Sequence, residues 1–221
     1  MTEIMKRPGQ YPMIAISYKD DQDPFFEVNV MKSLDMIHKS ATMKTIFQRI
    51  KDAKPGHVPA NWPRLCNVLI TPPIDRSYTT GVNEFGFAGA AGQKLFNAWR
   101  EGGKGDGFKP KMAAKCQAQA DSRTASEYDA KGNKGSGSVC YMFFTNREVM
   151  TKSGEPLQMH ITLGHELIHC MHYLYGEARD NSKDEEHSTV GLKSFAGEAL
   201  CENKVRSDLG LEPRKKYFAD D

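Results

Sequence analysis

Apolar residues follow two rhythms along this chain, and the rhythms predict most of its elements. Val30, Leu34, Ile37 and Ala41 recur at three- and four-residue intervals, the spacing of one helical face. Ile46, Phe47 and Ile50 continue that pattern up to Pro55-Gly56, so the stretch reads as a scaffold helix or a pair of helices. Leu65 to Thr71 is a short β-prone run closed by Pro72-Pro73, and Val139 to Phe144 is another, entered from the glycine-rich Gly132 to Ser138. A helical pattern returns from Ser153 to Gly176. Ser153 is placed to cap it, Pro156 fits its first turn, and Leu157, Ile161, Ile168 and Tyr175 mark an inward face. Gly176 suits a left-handed terminating position. Ser194 to Leu209 reads as a further helix with Phe195, Ala199 and Val205 inward and Gly210 as its stop, placed to buttress the preceding one. The pattern predicts an α+β fold. Residues 1–24, with Arg7-Pro8-Gly9 and Asp20 to Pro24, read as an extended or disordered lead-in, and residues 25–221 as one domain.

Composition narrows the function classes. Thirty Lys and Arg against 28 Asp and Glu leave a net charge of +2, too balanced for a dedicated nucleic-acid binder. At 39% hydrophobic residues the 221-residue chain can bury a core, and its apolar runs fall short of the roughly 20 residues that a membrane span requires. The five cysteines are scattered without a C-x-x-C pair, as expected of reduced thiols. Met1 to Ile16 lacks the apolar stretch of a secretory signal peptide, which leaves export by a signal-peptide-independent route open. Neither Glu101 to Phe108, read as a mobile excursion, nor Gly132 to Ser138 contains G-K-[ST], so neither is a phosphate-binding loop. Both glycine loops are placed to shape specificity.

The chemistry is concentrated in His165-Glu166-Leu-Ile-His169, an H-E-x-x-H motif inside the predicted helix. Four residues advance a helix by about 400°, so His165 and His169 project from one face and can share a tetrahedral metal ion. Glu166 lies beside them, where a carboxylate can take a proton from water as it attacks a carbonyl. The reading is peptide hydrolysis with one catalytic zinc ion. The extended H-E-x-x-H-x-x-G-x-x-H pattern is absent, because His172 stands at its glycine and Tyr175 at its last histidine. His172 is then placed to orient the site or to face solvent. The third ligand must be a downstream carboxylate, with Glu185, Glu186, Glu198 and Glu202 as candidates. Glu198, Glu202 and Arg206 form a four-residue ladder suited to ion pairing, and Glu202 could instead orient His165 or His169. Cys170 points about 100° from His169 and reads as packing.

HELIHCMHYLYG resembles the zinc helix of clostridial neurotoxin light chains. The larger pattern, with EEHSTVG, Glu202-Asn203-x-x-Arg206 and Arg214-x-x-Tyr217, resembles the NleD and HopH type of bacterial type III effector zinc protease. The resemblance spans Pro156 to Phe218 and implies a zincin-like domain with a cleft-bordering β-sheet, for which Val139 to Phe144 is the candidate strand. It also implies Glu186 as the third zinc ligand and Arg214 and Tyr217 as donors that stabilise the transition state. It further implies a virulence endopeptidase, secreted into the host cytoplasm, that cleaves a host protein at a MAP kinase activation loop; a monomer is expected. Two other readings are a structural-zinc protein that acts by binding a host partner and a zinc hydrolase of small peptides.

Overall fold

The computed structural model describes residues 3–19, 25–72, 116–144, 149–150 and 156–217. Strands β1 (Glu3–Lys6), β2 (Met13–Lys19), β3 (Cys66–Thr71), β4 (Gln117–Ala120) and β5 (Cys140–Phe143) form a mixed sheet in the order β1-β2-β3-β5-β4. The central pairings β2–β3 and β3–β5 are parallel, and the outer ones, β1–β2 and β4–β5, are antiparallel. Two short strands, β6 (Val149–Met150) and β7 (Pro156–Leu157), pair separately.

The predicted lead-in is corrected by the structure, because Glu3–Lys6 and Met13–Lys19 are strands of the sheet. Pro8 and Gly9 belong to a turn, with Tyr11 N donating to Pro8 O at 3.0 Å, and they do not mark a linker. Ile14, Ala15 and Ile16 are fully buried, since β2 is covered on both faces. A strand of this kind reads as a short continuous apolar run without alternation, which is why it escapes a periodicity search.

The helical pattern of residues 30–50 resolves into the pair α1 (Phe26–Ile37) and α2 (Ala41–Asp52). Ser40 separates them, and its Oγ caps α2 by accepting from Met43 N at 3.1 Å. Val30, Leu34, Ile37, Met43, Ile46 and Ile50 are buried together in the main core against the sheet. A single turn, α3 (Arg123–Ser126), follows β4. Helix α4 (Met159–Tyr175) crosses this core, touching α1, α2, β4 and β5. It ends at Gly176 as expected, with φ 65° and ψ 28°. Its start differs from the sequence reading: Pro156 and Leu157 are in β7, and α4 begins two residues later behind Gln158. Ser153 and the loop of residues 101–107 lie outside the described residues.

Helix α5 (Ser182–Val190) is not predicted by apolar periodicity; Asn181 caps it, and Gly191 ends it. The expected helix from Ser194 to Leu209 is reduced to a 3₁₀ turn at Lys193–Phe195 and α6 (Glu202–Asp208). Gly197 interrupts the pattern, Ala199 is exposed, and only Val205 of the three expected inward residues is fully buried. Among the described residues no helix is long and apolar enough to cross a membrane.

The glycine-rich run before β5 packs against the end of α4. Gly135 N donates to Gly176 O at 2.9 Å, Ser138 N donates to Tyr173 O at 2.9 Å, and a Cβ on Gly137 would stand 2.1 Å from Leu174 O. Glycine is needed there so that two backbones can touch.

Candidate active site

Helix α4 carries His165 and His169 one turn apart, and both imidazoles are buried. Their Nε2 atoms lie 3.1 Å from each other. Glu186, from α5, brings Oε2 to 3.0 Å from His165 Nε2 and 3.3 Å from His169 Nε2. A tetrahedral ion with N and O ligands at about 2.0–2.1 Å spaces its ligand atoms roughly 3.3 Å apart. The three atoms therefore match one face of such a coordination shell, and the set can hold a divalent metal.

The opposite side of each ring is fixed by another carboxylate. His165 Nδ1 donates to Glu202 Oε2 at 2.8 Å, and His169 Nδ1 donates to Glu185 Oε1 at 2.8 Å. A carboxylate accepting from Nδ1–H selects the tautomer that leaves the Nε2 lone pair free, which is the form a metal ligand must have. Glu185 Oε1 also accepts from His172 Nδ1 at 2.8 Å, while its Oε2 accepts from Arg179 N at 2.8 Å. His172, Glu185 and His169 thus also gather, but around one carboxylate oxygen behind the site. Glu202 is held by Arg206 Nε at 2.6 Å and Arg214 Nη1 at 3.3 Å.

Charge and burial oppose one another throughout this cluster. Burial alone would lower His165, but its hydrogen bonds to Glu186 and Glu202 more than reverse that and raise it to about 9. His169 is raised well above the ordinary value in the same way, by Glu186 and Glu185 against burial. Burial favours the neutral acid at Glu185 and Glu186, yet the neighbouring histidines hold both below the usual carboxylate range. Glu166 differs, because burial dominates and pushes its carboxyl up. A carboxyl shifted upward is a stronger proton acceptor than an exposed one.

Glu166 also connects the helix to the sheet. Asp121 N donates to Val139 O, so by two-residue alternation the Ala118 N–H of β4 points out of the sheet edge. Glu166 Oε2 accepts it at 2.6 Å. The strand beside the site is therefore β4, not the expected Val139 to Phe144. That segment contains β5, whose two edges are taken by β3 and β4. The sequence Gln117-Ala-Gln-Ala120 lacks the β-branched and aromatic residues that signal a strand.

Arg214 and Tyr217 reach the site from the segment after α6. The Tyr217 ring is parallel to His165 at 5.7 Å between centroids, and its hydroxyl is hydrogen-bonded to Glu186. Burial raises its pKa, and Glu186 and Glu166 raise it further, which keeps the phenol a donor. Arg214 lies 4.3 Å over the Tyr217 ring and pairs with Glu202, so it stands behind the tyrosine. Glu198 instead approaches Ser188 and Arg179, at 3.5 and 3.9 Å. Of the expected ladder, only Glu202 to Arg206 is made. Cys170 is buried in the core, as packing predicts.

Sequence reasoning missed Glu185 as the partner of His169 and His172. The Thr189 hydroxyl, 3.2 Å from His169 Nδ1, was missed as well. Asn181 as a cap, with Gly191 nine residues beyond the first helical position, was the available signal that Glu185 and Glu186 share a helix. Comparison with curated proteins finds no match. The family profile of Peptidase M91, described as effector protein, matches residues 14–217, from β2 through Tyr217, and the chain belongs to that family of effector peptidases.

Proposed function

We propose that the protein is a zinc-dependent endopeptidase of zincin-like architecture that acts on a host protein. The observation that carries this reading is the convergence of His165 Nε2, His169 Nε2 and Glu186 Oε2 within 3.3 Å of one another, with buried Glu166 alongside. His165, His169 and Glu186 would hold the zinc ion. When bound, it supplies a Lewis acid that polarises the scissile carbonyl and acidifies the attacking water.

The remaining steps fall to the chain's own groups. Glu166 Oε2 is anchored on Ala118 N, which leaves Oε1 to take the water's proton and pass it to the departing amine. Tyr217 donates its hydroxyl to the developing oxyanion, giving up its bond to Glu186. Arg214 acts through its contacts with Tyr217 and Glu202. Strand β4 is the terminal strand of the sheet among the described residues, and the outward backbone groups that remain beside the Ala118 N–H held by Glu166 offer an extended substrate segment hydrogen bonds that need no particular side chain on the strand. The resemblance to the NleD and HopH effectors supports the activation loop of a host MAP kinase as that segment.

The test is zinc content and cleavage of MAP kinases in host-cell lysate, for the wild type and Glu166→Ala. One equivalent of zinc in both, with a new kinase fragment only from the wild type, is the expected result. Zinc in both without any cleaved protein would favour a host-binding role instead, and a wild type that takes up no zinc would overturn the reading.

A further inference from the structure

The chain after α6 has no regular secondary structure up to residue 217, yet it delivers Tyr217 to a specific place on His165. It turns back at Gly210, with Leu211 N donating to Arg206 O at 2.8 Å. The next fixed point is one side chain. Asn203 Oδ1 accepts from Arg214 N at 2.6 Å, and Asn203 Nδ2 donates to Arg214 O at 2.9 Å.

A primary amide carries the same donor and acceptor as a peptide group, so Asn203 pairs with Arg214 as a neighbouring strand residue would. Both backbone polar groups of Arg214 are engaged, which sets the orientation and register of the segment together. A slip in one direction would present Pro213, which has no N–H to donate. A slip in the other would present Lys215 and carry Tyr217 about 3.3 Å along the chain. In the observed register, Arg214 lies against both Glu202 and the Tyr217 ring. The clamp and His165's carboxylate partner are adjacent residues of α6, so the ring and the tyrosine stacked on it are positioned from one helical turn.

We propose that Asn203 is a positioning residue for the peptidase reaction: it sets the register of residues 211–217 and thereby places the Tyr217 hydroxyl over the reacting carbonyl. This rests on the endopeptidase reading above. The Asn203 amide bonds to the Arg214 backbone and not to a proposed metal ligand, so its loss should leave zinc binding intact.

The experiment compares Asn203→Ala, Tyr217→Phe and the double variant, with the exposed neighbour Lys204→Ala as control. Asn203→Ala is expected to retain one equivalent of zinc and to lower kcat about 10- to 100-fold with KM unchanged. The double variant is expected to be no slower than Tyr217→Phe alone, because both act through one hydroxyl. Asn203→Asp keeps the acceptor for Arg214 N but opposes a carboxylate to Arg214 O, and it should not rescue. Hydrogen exchange of the backbone amides of residues 211–217 gives a readout independent of activity and should speed up in Asn203→Ala and the double variant but not in Tyr217→Phe or Lys204→Ala. Multiplying kinetic effects, or unchanged exchange in the segment, would overturn the proposal. If the wild type cleaves nothing, the endopeptidase reading fails on its own, and the exchange data still decide whether Asn203 holds the segment.

Discussion

Both imidazoles of the pair donate Nδ1–H to a buried carboxylate, Glu202 for His165 and Glu185 for His169, and these bonds aim the two Nε2 lone pairs at one point. Glu202→Gln keeps the shape but can present an N–H where His165 needs an acceptor. It is expected to weaken zinc affinity by about 10- to 100-fold, measured by competition with a chromogenic chelator. Tyr217→Phe removes one donor from the site while leaving the ring on His165. It should lower kcat about 100- to 1000-fold without changing zinc content, as seen in single-turnover cleavage. At this scale spacing along the chain was informative about the members of α4 and left the choice among the downstream carboxylates open. A four-residue spacing fixes relative direction within one helix, whereas Glu185, Glu186 and Glu198 are separated only by which way α5 and the following turn face.

Elements are fastened to one another by residues whose partners are far away in the chain. Asp208, at the end of α6, accepts from Ser40 Oγ at 2.6 Å and Thr42 N at 2.7 Å, so it helps cap α2 from across the fold. The Ser40 hydroxyl and the Thr42 N–H hold its carboxyl below the ordinary value. Asp208→Ala should cost about 1 kcal/mol at neutral pH in urea unfolding. The sign follows from the lowered pKa: the folded state favours the ionised form, so this stabilisation is present above the unfolded value of about 3.9 and is lost as pH falls through the folded one. The difference between variant and wild type should therefore shrink in acid. Gly176 is the reverse case, a feature read from the sequence whose full reason is tertiary. Its φ of 65° ends α4, and a Cβ there would stand 2.2 Å from Gly135 O. Gly176→Ala should destabilise by more than the roughly 1 kcal/mol that a left-handed alanine alone costs, measurable by thermal unfolding.

Across the whole molecule, the site joins parts that have little else in common. Glu186 comes from α5, the histidines from α4, Glu202 from α6 and the Glu166 anchor from β4. A zinc ion bound to the folded state alone should stabilise it by about 4 kcal/mol at a thousandfold excess over Kd, so chelation should lower Tm by on the order of 10 °C. What the chain determined locally was legible in its order of residues. The α1–α2 pair, strands β3 and β5, the left-handed end of α4 and the projection of His165 and His169 all depend on neighbours within a few positions. Packing decided the rest. It placed Met13–Lys19 inside the sheet, made Gln117–Ala120 the edge beside Glu166, brought Glu186 to the two Nε2 atoms and set Glu185 and Glu202 behind the rings. Those choices join residues tens of positions apart, where spacing along the chain carries no direction and only the docking of one element on another can select the partner.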